Sequence, residues 1–155
     1  MRIAMASDHA GFEMKDTLKA FLALHHHEIV DLSPGPPDPL DDYPDSAEAI
    51  GLALLDNRPE RGIERGILIC GSGVGACVAA NKVPGIRAGI CHDTYSAHQG
   101  VQHDNMNVLV LGGRIIGIEL AKELALAYLG ARFSGEARHV RRLAKVAALE
   151  QKFSS

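Results

Sequence analysis

Cys70-Gly71-Ser72-Gly73-Val74-Gly75-Ala76 is the segment of this chain best equipped for chemistry. A thiol stands directly before a glycine-rich turn, and an apolar run precedes it. Glycines allow positive φ and close approach of the backbone to a ligand. Amides at the start of a helix point at a bound anion, or at an oxyanion that develops during reaction. A thiolate in such a place is favoured, and serves as a nucleophile or as a base that takes a proton from carbon. The plain alternative is a tight strand–helix turn behind a small buried hydrophobe, the common fate of a free cysteine. For Cys77 and Cys91 that alternative is the reading adopted. The run also fits the G-x-G-x-x-G/A pattern of dinucleotide sites, with Asp93 about twenty residues on. Against this, the pattern follows the third apolar run and not the first, and the strands are too few for a full dinucleotide fold. No Gly-Lys-Ser/Thr follows, which excludes the phosphate loop of nucleoside triphosphatases.

Other polar groups gather where chemistry is also feasible. Asp8-His9 follows the first apolar run, so Asp8 either caps a helix or, with His9, contacts a substrate. His103-Asp104-Asn105 offers a group suited to proton transfer near neutral pH, or simple loop polarity. Arg138 and Arg142 are four apart and share a helix face, with His139 and Arg141 beside them. Arg114 follows Gly112-Gly113. Guanidinium forks match phosphate oxygens, although a solvated basic face is the ordinary meaning of such a cluster. His25-His26-His27 is read as a helix end facing water. No spacing of His and Cys reads as a metal site. Three cysteines, an odd number, argue against a disulfide framework.

These groups need elements to hold them. Apolar runs at Arg2–Ser7, Glu28–Leu32, Gly66–Cys70, Arg87–Cys91 and Val108–Leu111 read as buried strands. Helical patterns fall at about Gly11–Leu24, Ser46–Leu55, Val74–Lys82, Thr94–Gly100, Gly117–Leu129 and Glu136–Phe153. Strand–helix alternation gives an α/β fold: a doubly wound, Rossmann-like, five-stranded parallel sheet with helices on both faces and an extra C-terminal helix. Ligands bind beyond the carboxyl ends of such strands, where Asp8, Cys70, His92 and Arg114 stand. The stretch Ser33–Pro44 holds five of the seven prolines and reads as a stiff loop. Residues 1–155 are read as a single domain.

Composition narrows the function. Of 155 residues, 46% are hydrophobic and 23% charged, as in globular domains. Lys+Arg 16 against Asp+Glu 19 leaves −3, no footprint for non-specific nucleic-acid binding. Aromatics are 5% with no Trp, a poor supply of stacking platforms. No apolar run approaches the roughly 18 residues of a membrane span. The N-terminal run meets Asp8 too early for a signal peptide. The expected location is therefore the cytoplasm.

Taken together, Ser7-Asp8-His9-Ala10-Gly11-Phe12-Glu13-Met14-Lys15, Asp42-Tyr43-Pro44, Cys70-Gly71-Ser72-Gly73-Val74-Gly75, Ala80-Asn81-Lys82, Arg114, Arg138-His139 and Arg142 resemble the type B ribose-5-phosphate isomerases. The wider family includes galactose-6-phosphate and allose-6-phosphate isomerases, and the likeness runs from about Arg2 to about Gln151. It implies interconversion of D-ribose 5-phosphate and D-ribulose 5-phosphate without metal or organic cofactor. It implies a homodimer or dimer of dimers with shared active sites, and the helix at about 136–153 suits that interface. By the resemblance, Cys70 is the base between C2 and C1, while Ser72 and the amides from Gly71 through Gly73 to Gly75 hold the enediolate. Asp8 and His103 assist ring opening. His9, Arg114, Arg138 and Arg142 hold phosphate, and Tyr43 lines the sugar pocket. One position departs: many members carry Asn where this chain has Asp104. An ionised carboxylate accepts hydrogen bonds but cannot donate, so either Asn105 takes the role or Asp104 faces a donor. The alternatives are an isomerase of a six-carbon sugar 6-phosphate, allose or galactose, a dinucleotide-dependent oxidoreductase, and a non-catalytic sugar-phosphate sensor.

Overall fold

The computed structural model describes residues 1–56 and 62–153. Five strands form one all-parallel sheet in the order β2-β1-β3-β5-β4. They are β1 (Arg2–Ser7), β2 (Glu28–Asp31), β3 (Arg65–Cys70), β4 (Ala88–Ile90) and β5 (Val108–Gly112). The helices are α1 (Phe12–Leu24), α2 (Tyr43–Leu55), α3 (Val74–Ala80), α4 (Thr94–Asp104), α5 (Ile118–Gly130) and α6 (Ala137–Phe153). The expected fold class holds.

The central strands are apolar on both faces because both are covered. Ile3, Met5, Ile67, Ile69, Leu109 and Leu111 pack under α1, α4 and α5. Their neighbours in sequence, Ala4, Ala6, Leu68, Cys70, Val108 and Val110, pack under α2 and α3. Alternation of side chains along a strand divides the two cores and sends Cys70 to the α2/α3 side. The short β4 lies at the edge. Asn81 pairs it to α3, donating to the Ala88 carbonyl at 2.9 Å and accepting from the Ala88 N–H at 2.9 Å.

The winding reverses beside β1. Strand β1 sends its connection to β2 on one side, and β3 sends its connection to β4 on the other. The two departing loops diverge and leave a crevice between the carboxyl ends of β1 and β3. Gly11 makes this geometry feasible: a Cβ there would collide with the Ile69 carbonyl oxygen of β3.

Two local readings need correction. Tyr43 and Pro44 do not belong to the loop but open α2, where proline is accommodated because the first helical N–H groups have no partner. Helix α4 runs on to Asp104, so His103 and Asp104 end a helix instead of lying in a connection. Asn105 closes that helix in the left-handed region with φ 47°, which asparagine tolerates. Among the described residues no helix is long and apolar enough to cross a membrane.

Candidate active site

A cavity of about 430 Å³ occupies the crevice. From the turn after β1 come Asp8 and His9, from α2 Tyr43, and from the end of β3, the turn after it and the start of α3 Cys70, Gly71, Ser72 and Gly75. Arg114, after β5, closes the rim. Backbone bonds fix these segments to one another: Gly113 N–H donates to the Cys70 carbonyl at 2.8 Å, and Arg114 N–H to the Gly71 carbonyl at 2.9 Å.

The sulfur of Cys70 is nearly enclosed, with the residue 4% exposed, yet it borders the cavity. Gly73 takes φ 85° and swings its N–H onto Sγ at 3.2 Å. A residue with a Cβ is strained in that conformation, so glycine is what allows an amide to face the sulfur. The other thiols are placed differently. Burial pushes the Cys91 thiol up to about 11, with Asp93 and Cys77 adding to the effect. Burial also raises Cys77, whose Sγ lies 3.5 Å from the Ala88 carbonyl. Neither is a base at neutral pH, in keeping with the structural reading of both.

Asp8 does not cap α1, whose N-cap is Gly11. Its Oδ1 accepts from Gly11 N–H at 3.1 Å, which fixes the carboxylate at the cavity wall. His9 Nδ1 lies 2.6 Å from Asp41 Oδ1, and the same oxygen accepts from His9 N–H at 3.1 Å. A carboxylate on Nδ1 leaves Nε2 as the free nitrogen of the ring. Asp41 escaped the sequence reading because it lies in the proline-rich loop, 32 residues from its partner. The start of that loop is anchored by buried Lys15, which donates to Asp31 at 2.7 Å and to the Ser33 carbonyl at 2.6 Å. Possible ligand atoms of Asp8, His9 and Asp41 lie within 4.8 Å of one another. The hydrogen bond between His9 and Asp41 draws those two together, and Asp8 is the neighbour of His9 in the chain.

Four predicted residues lie elsewhere. Arg138 and Arg142 are exposed on α6, and neither lines the cavity at Cys70. His103 is half-buried at the end of α4 with Nδ1 3.0 Å from the Gln99 amide nitrogen. Asp104 is exposed and borders a separate groove of about 970 Å³ between β4, α4 and α6. Asp93, the acid that a dinucleotide site would need, caps α4 by accepting from Ser96 N–H at 2.7 Å.

The crevice thus unites a nearly enclosed sulfur, a glycine-rich turn opening a helix, a fixed carboxylate, an imidazole and a guanidinium. Such a set can move a proton on a small anionic molecule and hold the charge that forms. Comparison with known proteins agrees with that class. A profile of the family described as ribose/galactose isomerase matches residues 3–146, and the chain belongs to that family. It is 40% identical over 151 residues to ribose-5-phosphate isomerase B of Escherichia coli K12, covering 97% of each chain. It is 42% identical over 135 residues to D-erythrulose-4-phosphate isomerase of Pectobacterium atrosepticum, covering 87% of this chain and 86% of that one. The structure of ribose-5-phosphate isomerase B from Mycoplasma genitalium with bound ribulose 5-phosphate superposes with a TM-score of 0.89 at 38% identity, covering 97% of each.

Proposed function

We propose that this protein interconverts D-ribose 5-phosphate and D-ribulose 5-phosphate, with Cys70 as the base. The observation that carries the reading is the meeting of Cys70, Asp8, His9, Tyr43, Ser72 and Arg114 around one cavity at the reversal of the sheet. In the open-chain aldose, the Cys70 thiolate takes the C2 proton and becomes a thiol. The C2–H electrons form the C1–C2 double bond, and the carbonyl electrons move onto O1. Ser72 and the amides of Gly71 and Gly75 hold this enediolate, while the Gly73 N–H stays on the sulfur. The O2 proton passes to O1, the thiol returns its proton to C1, and the ketose carbonyl forms at C2. Before this, His103 gives a proton to the ring oxygen while Asp8 accepts the one on the anomeric hydroxyl.

The phosphate rests on His9 and Arg114 of one copy and on Arg138 and Arg142 of another. His103 also comes from that second copy, so the working unit is a homodimer. Support comes from the separation just described and from the apolar side chains Val140, Val146, Leu149 and Phe153, which are exposed on α6 of a single chain. Anchoring the remote phosphate lets binding energy position C1 and C2 against the sulfur.

A tetrose 4-phosphate is the second reading, favoured by the D-erythrulose-4-phosphate isomerase relative. The deciding assay measures isomerisation of ribose 5-phosphate, erythrose 4-phosphate, allose 6-phosphate and galactose 6-phosphate. The highest kcat/KM is expected for ribose 5-phosphate; preference for another sugar overturns the substrate assignment. Cys70→Ala should lower kcat by roughly 10³-fold or more, with KM little changed. Turnover near that of the wild type would remove Cys70 as the base.

A further inference from the structure

His139 is buried without a polar partner. It is 1% exposed, and neither ring nitrogen has a hydrogen-bond partner among the described residues. Glu136 Oε2 is 3.9 Å from Nε2, too far for a hydrogen bond, and accepts from Arg138 Nε at 3.0 Å. Burying imidazole nitrogens unpaired costs stability, and a leucine would fill the same space at less cost. What the ring does touch is His103: the two centroids are 4.1 Å apart at an interplanar angle of 42°.

Resting on the isomerase reading above, we propose that His139 is the positioning residue for His103. The imidazole of a histidine on the last turn of a helix turns broadly about its final torsion. Here two contacts restrict it. Gln99, one turn back on α4, meets the Nδ1 edge at 3.0 Å. His139, from α6, covers a face. With the Gln99 amide donating to Nδ1, the proton of the neutral ring sits on Nε2, the nitrogen that must give it to the sugar ring oxygen. His139 also stands beside Arg138 on α6, and Ser134 N–H donates to the Gln102 carbonyl at 3.0 Å just before that helix. The same buried ring therefore sets His103 and the start of the arginine-bearing helix in one frame. Proton transfer tolerates little error, since a misplacement of about 1 Å can cost on the order of a hundredfold in rate.

The test is steady-state isomerisation of D-ribose 5-phosphate by the full chain and four variants. His139→Leu should lower kcat at least about tenfold and leave KM within about twofold. His139→Phe, which keeps a flat ring, should recover kcat to within about threefold of the wild type. His139→Leu combined with His103→Gln should be no more than about twofold slower than His103→Gln alone, because the positioning acts through the ring that is already gone. Wild-type kcat in His139→Leu overturns the proposal. So does failure of His139→Phe to recover activity, or full additivity in the double variant, either of which marks a purely structural role. If His103→Gln turns over like the wild type, the inference falls together with the ring-opening role of His103, while the isomerase activity itself stands. If the wild type leaves all four sugar phosphates unchanged, the isomerase reading falls and takes the inference with it.

Discussion

At the scale of single residues, the site depends on what glycine leaves empty. Gly75 lies in α3 facing the phenol of Tyr43, and a Cβ there would stand 2.7 Å from its Cζ. Tyr43 is 42% exposed and free to swing, so Gly75→Ala displaces the ring instead of breaking the fold. The expected result is a Tm no lower than that of the parent, with KM for ribose 5-phosphate raised several-fold. A helix gains up to about 1 kcal/mol from Ala in place of Gly, which opposes the loss from the displaced ring. Position 104 is the second residue where type matters. Asp104 is an exposed carboxylate at the end of α4, an acceptor where an amide would also donate. Asp104→Asn removes a negative charge from the neighbourhood of the enediolate, if His103 and its neighbour reach a partner's site together. We expect kcat on ribose 5-phosphate to rise by a few-fold; no change across the sugar panel would place Asp104 outside the site.

At the scale of elements, the loop between β2 and α2 is set by an ion pair that sequence order does not reveal. Lys15 is fully buried, and its ammonium meets Asp31 at 2.7 Å; Lys19 reaches the other carboxylate oxygen at 2.7 Å. Burial of Asp31 disfavours its charge, but hydrogen bonds from Lys15, Lys19 and the Ser33 N–H outweigh that and hold the carboxyl below its ordinary 3.8. A depressed folded-state value means that the contribution to stability is fully present above about pH 4 and is lost as pH falls through the folded value. Chemical denaturation at pH 7 and pH 3 should show this loss. Asp31→Asn should remove that part of the pH slope and, by leaving Lys15 buried without its counter-charge, cost about 3–5 kcal/mol at pH 7. An Asp31→Asn variant as stable as the parent would show that Lys15 finds compensation elsewhere. Since the pair anchors the loop that delivers Asp41 to His9, its loss should also weaken phosphate binding.

At the scale of the whole molecule, the decisive expectation concerns copies of the chain. Cys70 and His103 belong to different groups of side chains in one protomer, and the proposed mechanism needs both at one sugar. Cys70→Ala and His103→Gln, each assembled alone into the proposed dimer, should be nearly inactive. When the two are co-expressed or unfolded and refolded together, half the dimers are mixed and one of their two sites is intact. Activity should return to about a quarter of the wild-type level. No recovery, in a mixture shown by sedimentation to contain dimers, would mean that each site is built within one chain.

Much of this was legible from the residues in order. The apolar runs marked all five strands, since a parallel strand buried on both faces must be apolar throughout. The Cys70-Gly71-Ser72-Gly73 turn and Asp8-His9 were placed at strand ends because a sheet of this winding has a crevice there. The sequence also supplied the family, through ordered short motifs. The tertiary structure decided what local order cannot express. It brought Asp41 to His9 across a loop with no periodicity, and it set His139 against His103 from two separate helices. It also separated Arg138 and Arg142 from the cavity of their own chain. Helical and strand periodicities constrain neighbours within a few residues, whereas these contacts depend on how long-range packing closes the loops between elements.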